Sequence, residues 1–263
     1  MISYDAYDLE KKPFIVDSDP MEIRSFSWVS DSDIAMVLRQ KVRDRIDGQN
    51  EGVYEFKLAL LDVENEEFDD FDAPEPQVES VLPNEKNKII YSMQPGMDDD
   101  LGLKETFRPR AYYKLDLDRG SRELLIRGKL DLGQIEFDAD GDPWLARGFD
   151  LGRQEYVWYY REKGESGWKD ILRLHEDSFE TVEVVAKDDA KPGNVLVLAH
   201  NGHDTAGFWS YNTQSREYEE LIYRRSDVDV AGAIVHSHDP WKYHNRVVGI
   251  YYFKDKLYKE FFD

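Results

Sequence analysis

One pattern of strands recurs along this sequence at nearly constant spacing, and it constrains the fold more than any other feature. Ile23 to Trp28, Ile34 to Leu38 and Tyr54 to Val63 are short segments rich in β-branched and aromatic residues, separated by polar turns. Side chains of that kind suit a half-buried pleated surface. The pattern then restarts with Val78 to Leu82, Lys88 to Met93, Ala111 to Leu117 and Glu123 to Ile126. A third cycle runs Gly133 to Phe137, Pro143 to Phe149, Tyr156 to Tyr160 and Trp168 to Leu174. A fourth runs Val182 to Ala186, Asn194 to His200, Gly207 to Tyr211 and Tyr218 to Tyr223. The fifth is Val230 to His236, Arg246 to Phe253 and Leu257 to Phe262. Helical periodicity is absent beyond about three turns anywhere.

Cycle starts at 23, 78, 133, 182 and 230 give steps of 55, 55, 49 and 48 residues. A period of roughly 40–50 residues holding four strands is the signature of a β-propeller blade, lengthened here by loops. The expected fold is therefore all-β: four-stranded antiparallel blades, about five of them visible. Residues 1–22 form a lead-in or partial blade, and 23–263 form the propeller segment. No closing strand is evident at either end, so an incomplete ring is expected. Self-association through uncovered faces and edges would follow from that. Two long loops, Gln40 to Gly52 and Gln94 to Arg110, separate the second and third strands of the first two units. They are read as solvated insertions, with a shared rim as the functional alternative.

Charge narrows the partners. The chain carries 34 basic and 55 acidic side chains among 263 residues, a formal charge of −21. Nucleic acid and anionic membranes are excluded as expected partners, because both are held by cationic surfaces. No apolar run approaches the roughly 20 residues of a membrane helix, and Met1 to Asp5 lacks the basic and apolar stretches of a signal peptide. Bacterial cytoplasm or periplasm remain as compartments. Cysteine is absent, which removes disulfides, thiolate metal sites and cysteine nucleophiles.

No catalytic constellation is assembled in the sequence. Asp138-Ala139-Asp140-Gly141-Asp142 has the acidic density of a calcium loop. An EF-hand needs glycine at its sixth position and glutamate at its twelfth, and Pro143 and Phe149 stand there. A hairpin turn is the expected role. His200 with His203, and His236 with His238, are the histidine pairs. Each lacks a third ligand nearby, and Asn201-Gly202 and Asp239-Pro240 mark turns. Gly164-Glu165-Ser166-Gly167 brings its second glycine one place too early for a nucleophile elbow. No glycine-rich phosphate loop is present. Catalytic, cofactor-binding and metal residues are accordingly expected to be none.

The ordered series of these units is similar to the propeller of the prolyl oligopeptidase family. The likeness is carried by Ser25 to Ile34, Arg108 to Leu125, Gly202 to Asn212, Asp227 to Gly232 and Arg246 to Ile250. It covers residues 13–263 and is strongest toward the bacterial dipeptidyl-aminopeptidase and acylaminoacyl-peptidase branch. The resemblance implies a ring of seven or eight blades joined to a C-terminal α/β-hydrolase domain that carries Ser, Asp and His. It also implies that the propeller caps the active site and admits short peptides. This sequence has no elbow and no room for a hydrolase fold of roughly 250 residues. No catalytic residue carries over, and the chain reads as an excised or naturally truncated segment.

Three functions follow in order. The first is a non-catalytic propeller segment that gates a serine peptidase, with the hydrolase domain and short peptides as partners and no cofactor. The second is a self-standing scaffold for protein partners, its acidic surface steering cationic ligands. The third is a propeller acting on carbohydrate through paired carboxylates in a central tunnel.

Overall fold

Short apolar segments broken by Asp, Asn, Gly and Ser turns fold into 21 strands and, among the described residues, no helix. The computed structural model describes residues 2–4, 7, 8, 10, 12–17, 19–43, 52–71, 73–94, 109–129, 131–236 and 246–262. Two compact units, Met1–Gly128 and Lys129–Asp263, divide the chain.

The first unit holds a two-stranded ribbon of β1 (Ile2–Ser3) and β2 (Phe14–Ile15), followed by two four-stranded meanders. The first meander is β3 (Glu22–Trp28), β4 (Asp33–Arg43), β5 (Val53–Asp62) and β6 (Glu67–Phe71). The second is β7 (Gln77–Val81), β8 (Lys88–Met93), β9 (Ala111–Asp116) and β10 (Ser121–Arg127). Strands pair antiparallel in chain order in both. Val37 and Leu58 of the first meander pack on Ile89, Tyr91 and Leu115 of the second. The opposite face of the first meander, Ile34, Met36 and Leu61, is met by Phe14, Val16 and Met21 of the lead-in. Each fully buried side chain of this kind stabilises by about 1.5–3 kcal/mol.

The second unit continues the series. Its first meander is β11 (Gln134–Phe137), β12 (Pro143–Asp150), β13 (Glu155–Tyr160) and β14 (Lys169–His175). The next is β15 (Val182–Lys187), β16 (Asn194–Ala199), β17 (Gly207–Asn212) and β18 (Glu217–Arg224). The last sheet has three strands, β19 (Gly232–Val235), β20 (Val247–Phe253) and β21 (Leu257–Phe261). Trp144, Trp158 and Ile171 pack against Val195, Val197, Trp209 and Tyr211. Leu198 and Phe208 pack against Ile250 and Tyr252. Polar links tie neighbouring sheets as well. The Tyr211 hydroxyl donates to the Ile171 carbonyl at 2.7 Å, and Lys187 donates to Asp138 at 2.8 Å.

The all-β expectation of consecutive antiparallel meanders holds, with two additions. Strand β6, Glu67-Phe68-Asp69-Asp70-Phe71, is one that the sequence did not announce. Its acidic side chains are tolerated because it is the outermost strand, exposed at four of its five positions. A turn also recurs that periodicity does not reveal. The side chain of Asp62, Asp116, Asp150 or Asn212 accepts from backbone N–H groups two or three residues on. Four residues after each, the backbone turns left-handed, at Glu66, Gly120, Gln154 and Arg216. The capping oxygen supplies a local partner that compensates for the strained residue. In three sheets this turn joins the third and fourth strands. In the β11–β14 sheet it joins the second and third, and that displacement shapes the groove described next.

Candidate functional site

A groove of about 280 Å³ opens on the β11–β14 sheet, lined by Asp131, Phe149, Asp150, Leu151 and Tyr159. Asp131 reaches it from a tight turn in which Lys129 and Leu132 exchange backbone hydrogen bonds of 2.9 and 3.0 Å. That turn lies against β12 only because Gly148 has no side chain. A Cβ there would stand 1.9 Å from the Asp131 carbonyl oxygen.

Below the groove runs a charged ladder fixed by strand register. Gly148 faces Val157 and Asp150 faces Glu155 across β12 and β13, while Val157 faces Arg173 and Tyr159 faces Asp170 across β13 and β14. These residues share one face of the sheet. Arg173 donates to Glu155 at 2.9 Å, to Asp150 at 3.1 Å and to Asp170 at 2.5 Å. Three carboxylates around one guanidinium raise its affinity for the proton even further. Conversely, the Arg173 bond holds the Asp150 carboxyl below its ordinary value, aided by backbone donation from Arg153 and Gly152. Burial, with the charge of Asp131 second, pushes the Tyr159 phenol upward. The lining of the groove thus combines two aromatic rings, Phe149 and Tyr159, with two carboxylates, Asp131 and Asp150.

A second polar cluster lies in the first unit. The Ser92 hydroxyl, fully buried, donates to Glu79 and accepts from the Arg110 Nε at 2.6 Å. Arg110 also donates to the carbonyls of Glu75 at 2.6 Å and Ser92 at 3.0 Å. Burial holds the Glu79 carboxyl above its ordinary value, against the pull of Ser92 and Arg110. Gln94 N–H donates to Pro74 O at 3.3 Å, so Gln94 and Arg110 are both tied to the Pro74-Glu75 turn. Residues 95–108 of that long loop, and 44–51 of the other, lie outside the described residues.

The sequence candidates are scattered and not brought together. Asp138 to Asp142 is the turn between β11 and β12, with Asp138 accepting from the amides of Asp140 and Asp142 at 3.1 and 3.0 Å. The Nδ1 of His200 accepts from Thr181 N–H at 3.0 Å, and its Nε2 lies 3.6 Å from Asp229. The His203 ring stacks on Trp209 at 5.7 Å. His236 follows β19, while His238 and His244 lie outside the described residues. Ser166 sits in the connection between β13 and β14. Among the described residues no three His, Asp or Glu side chains converge as a metal site, and no helix is long and apolar enough to cross a membrane. Sequence reasoning missed the groove entirely.

Successive four-stranded meanders in chain order define the class of the chain, a β-propeller assembly. Solved structures give the particular likeness. A prolyl endopeptidase structure is 15% identical with a TM-score of 0.57, covering 89% of this chain and 32% of that one. The acylaminoacyl peptidase of Pyrococcus horikoshii is 16% identical at a TM-score of 0.53, covering 90% and 38%. The β-propeller domain of the Trilobed protease from Pyrococcus furiosus, of open velcro topology, is 12% identical at 0.50, covering 93% and 69%. The chain thus spans about a third of the first two proteins. No protein-family profile matches the chain, and no curated protein matches it.

Proposed function

We propose that this chain is the propeller segment of a prolyl oligopeptidase-type serine peptidase, where it caps a hydrolase domain and gates the entry of short peptides. The observation that carries this reading is coverage. The two peptidase likenesses span 89% and 90% of this chain but only 32% and 38% of theirs, as expected of one domain from a two-domain enzyme. A propeller contributes selectivity by excluding substrates too large to pass, and the hydrolase domain supplies nucleophile, base and oxyanion hole.

The test has two parts. The 263-residue chain alone should hydrolyse aminoacyl and acyl-aminoacyl chromogenic substrates no faster than buffer. Joined to the hydrolase region of its reading frame it should turn them over, and removing residues 1–263 from that enzyme should admit longer peptides. A downstream frame with no hydrolase region, or an unchanged peptide size limit after removal, would overturn the reading.

A further inference from the structure

Arg147 of β12 stands opposite Trp158 of β13. Its guanidinium carbon lies 5.2 Å from the Trp158 ring centre and 4.9 Å from that of Tyr156. Tyr156 and Trp158 are two residues apart on one strand, so both rings rise from the same face of the sheet. Phe149 meets Tyr156 edge-on at 5.1 Å, supporting the outer ring. Trp158 is buried, whereas Arg147 is exposed. Aromatic faces attract a guanidinium and restrict its orientation.

Among the described residues, the hydrogen-bonding capacity of this cation is unspent. Acidic side chains outnumber basic ones 55 to 34, and Arg39, Arg173 and Arg225 are all bound to carboxylates. Arg110 and Arg161 are bound to backbone carbonyls. Among the described residues, Arg147 makes its two ring contacts and donates to no carboxylate or carbonyl. A guanidinium presents five N–H donors in a planar fork that matches the two oxygens of a carboxylate.

We propose that Arg147, held by Tyr156 and Trp158, is a docking point for the carboxylate of a short peptide. The anion must be small. A net charge of −21 repels extended polyanions, while one oriented guanidinium suffices for a single terminal carboxylate. The choice of a peptide as the bearer of that carboxylate rests on the peptidase reading above; the anion site itself rests on residues 147, 156 and 158.

N-acetyl-tetraalanine as the free acid, and the same peptide as its C-terminal amide, distinguish charge recognition from simple contact. Each is titrated into the full 263-residue chain by calorimetry. The acid should bind about tenfold or more tightly than the amide, the range expected when a charged hydrogen bond is lost. Arg147→Gln should abolish that preference with the thermal transition little changed. Arg147→Lys, which keeps charge but loses the fork, should retain only part of it. Equal affinity for acid and amide, no binding of the acid below about 10 mM, or a preference that survives in Arg147→Gln would overturn the proposal. The comparison on the unaltered chain needs no variant to fold. An acid preference alongside an unchanged peptide size limit in the joined enzyme would keep the anion site and remove only the gating role.

Discussion

Replacing Gly148 by alanine tests the close approach that forms the groove. The added Cβ would lie 1.9 Å from the Asp131 carbonyl oxygen, 2.2 Å from its carbon and 2.8 Å from the Leu132 amide nitrogen. Ordinary contact starts at 3.4 Å, so the Asp131 carbonyl must retreat by about 1.5 Å. That retreat pulls on the two Lys129–Leu132 hydrogen bonds and on the 3.0 Å bond from Gly133 N–H to Arg147 O. Overpacking costs about 1–3 kcal/mol, and a hydrogen bond lost from a covered backbone group costs about 1–3 kcal/mol more. Gly148→Ala should therefore destabilise by about 3 kcal/mol or more. Two controls separate steric clash from backbone preference. Gly164 has φ +82° and no heavy atom within 4 Å of an added Cβ, so alanine there should cost only about 1–2 kcal/mol. Gly167 has open space and an ordinary φ, so alanine there should be neutral or stabilise by up to about 1 kcal/mol. Urea denaturation followed by tryptophan fluorescence, with slopes compared among variants, gives all three values. If Gly148→Ala is no less stable than Gly164→Ala, the reasoning fails.

Other perturbations reach the remaining parts of the structure. Tyr211→Phe removes the 2.7 Å bond to Ile171 O between two sheets and should cost about 1–2 kcal/mol in the same denaturation assay. Burial of that hydroxyl also raises its pKa to about 12, so a phenolate signal from Tyr211 should be missing from an ultraviolet titration at pH 11. Because burial holds the Glu79 carboxyl above its ordinary value, the folded chain binds that proton more readily than the unfolded chain does. The associated stability is present at low pH and lost as pH rises through the folded value; Glu79→Gln should be at least as stable as wild type at pH 7 and should flatten that decline. Arg173 acts in the opposite sense through Asp150, whose carboxyl is held low. The stability lost in Arg173→Gln should be greatest near neutrality and should shrink as pH falls below about 4, measured by thermal denaturation across pH.

The strands were legible where apolar runs rich in β-branched or aromatic residues stand between turns, as in Ile34 to Leu38 and Tyr156 to Tyr160. Their order followed from short turns, which leave a meander as the simplest pairing. Strand β6 was not legible because its Glu and Asp residues hide a pairing made through the backbone. The recurring turn was half visible. Asp or Asn opens every copy, yet the left-handed position holds Glu66, Gln154 or Arg216 in three of four cases, and only Gly120 advertises itself. The groove was least legible of all. Asp131 and Tyr159 are 28 residues apart and meet only through the register of β12 and β13 and the missing side chain of Gly148. Arg147 looked like one more polar position in a strand; its ties to Trp158 directly across and to Tyr156 on the diagonal depend on cross-strand register, which composition does not record.

The lead-in that covers the first meander has a consequence for synthesis on the ribosome. Phe14, Val16 and Met21 emerge before the strands they cover, and every residue of that meander and its cover lies within the first 71. At the usual pace of translation, about 50 residues emerge in roughly 2.5–10 s, whereas hairpins form within about 10 μs. The nascent chain can thus finish one face of its first sheet long before the second exists. The other face, with Val37 and Leu58, stays open until Leu115 has been made, and that interval is when a chaperone would find its binding surface.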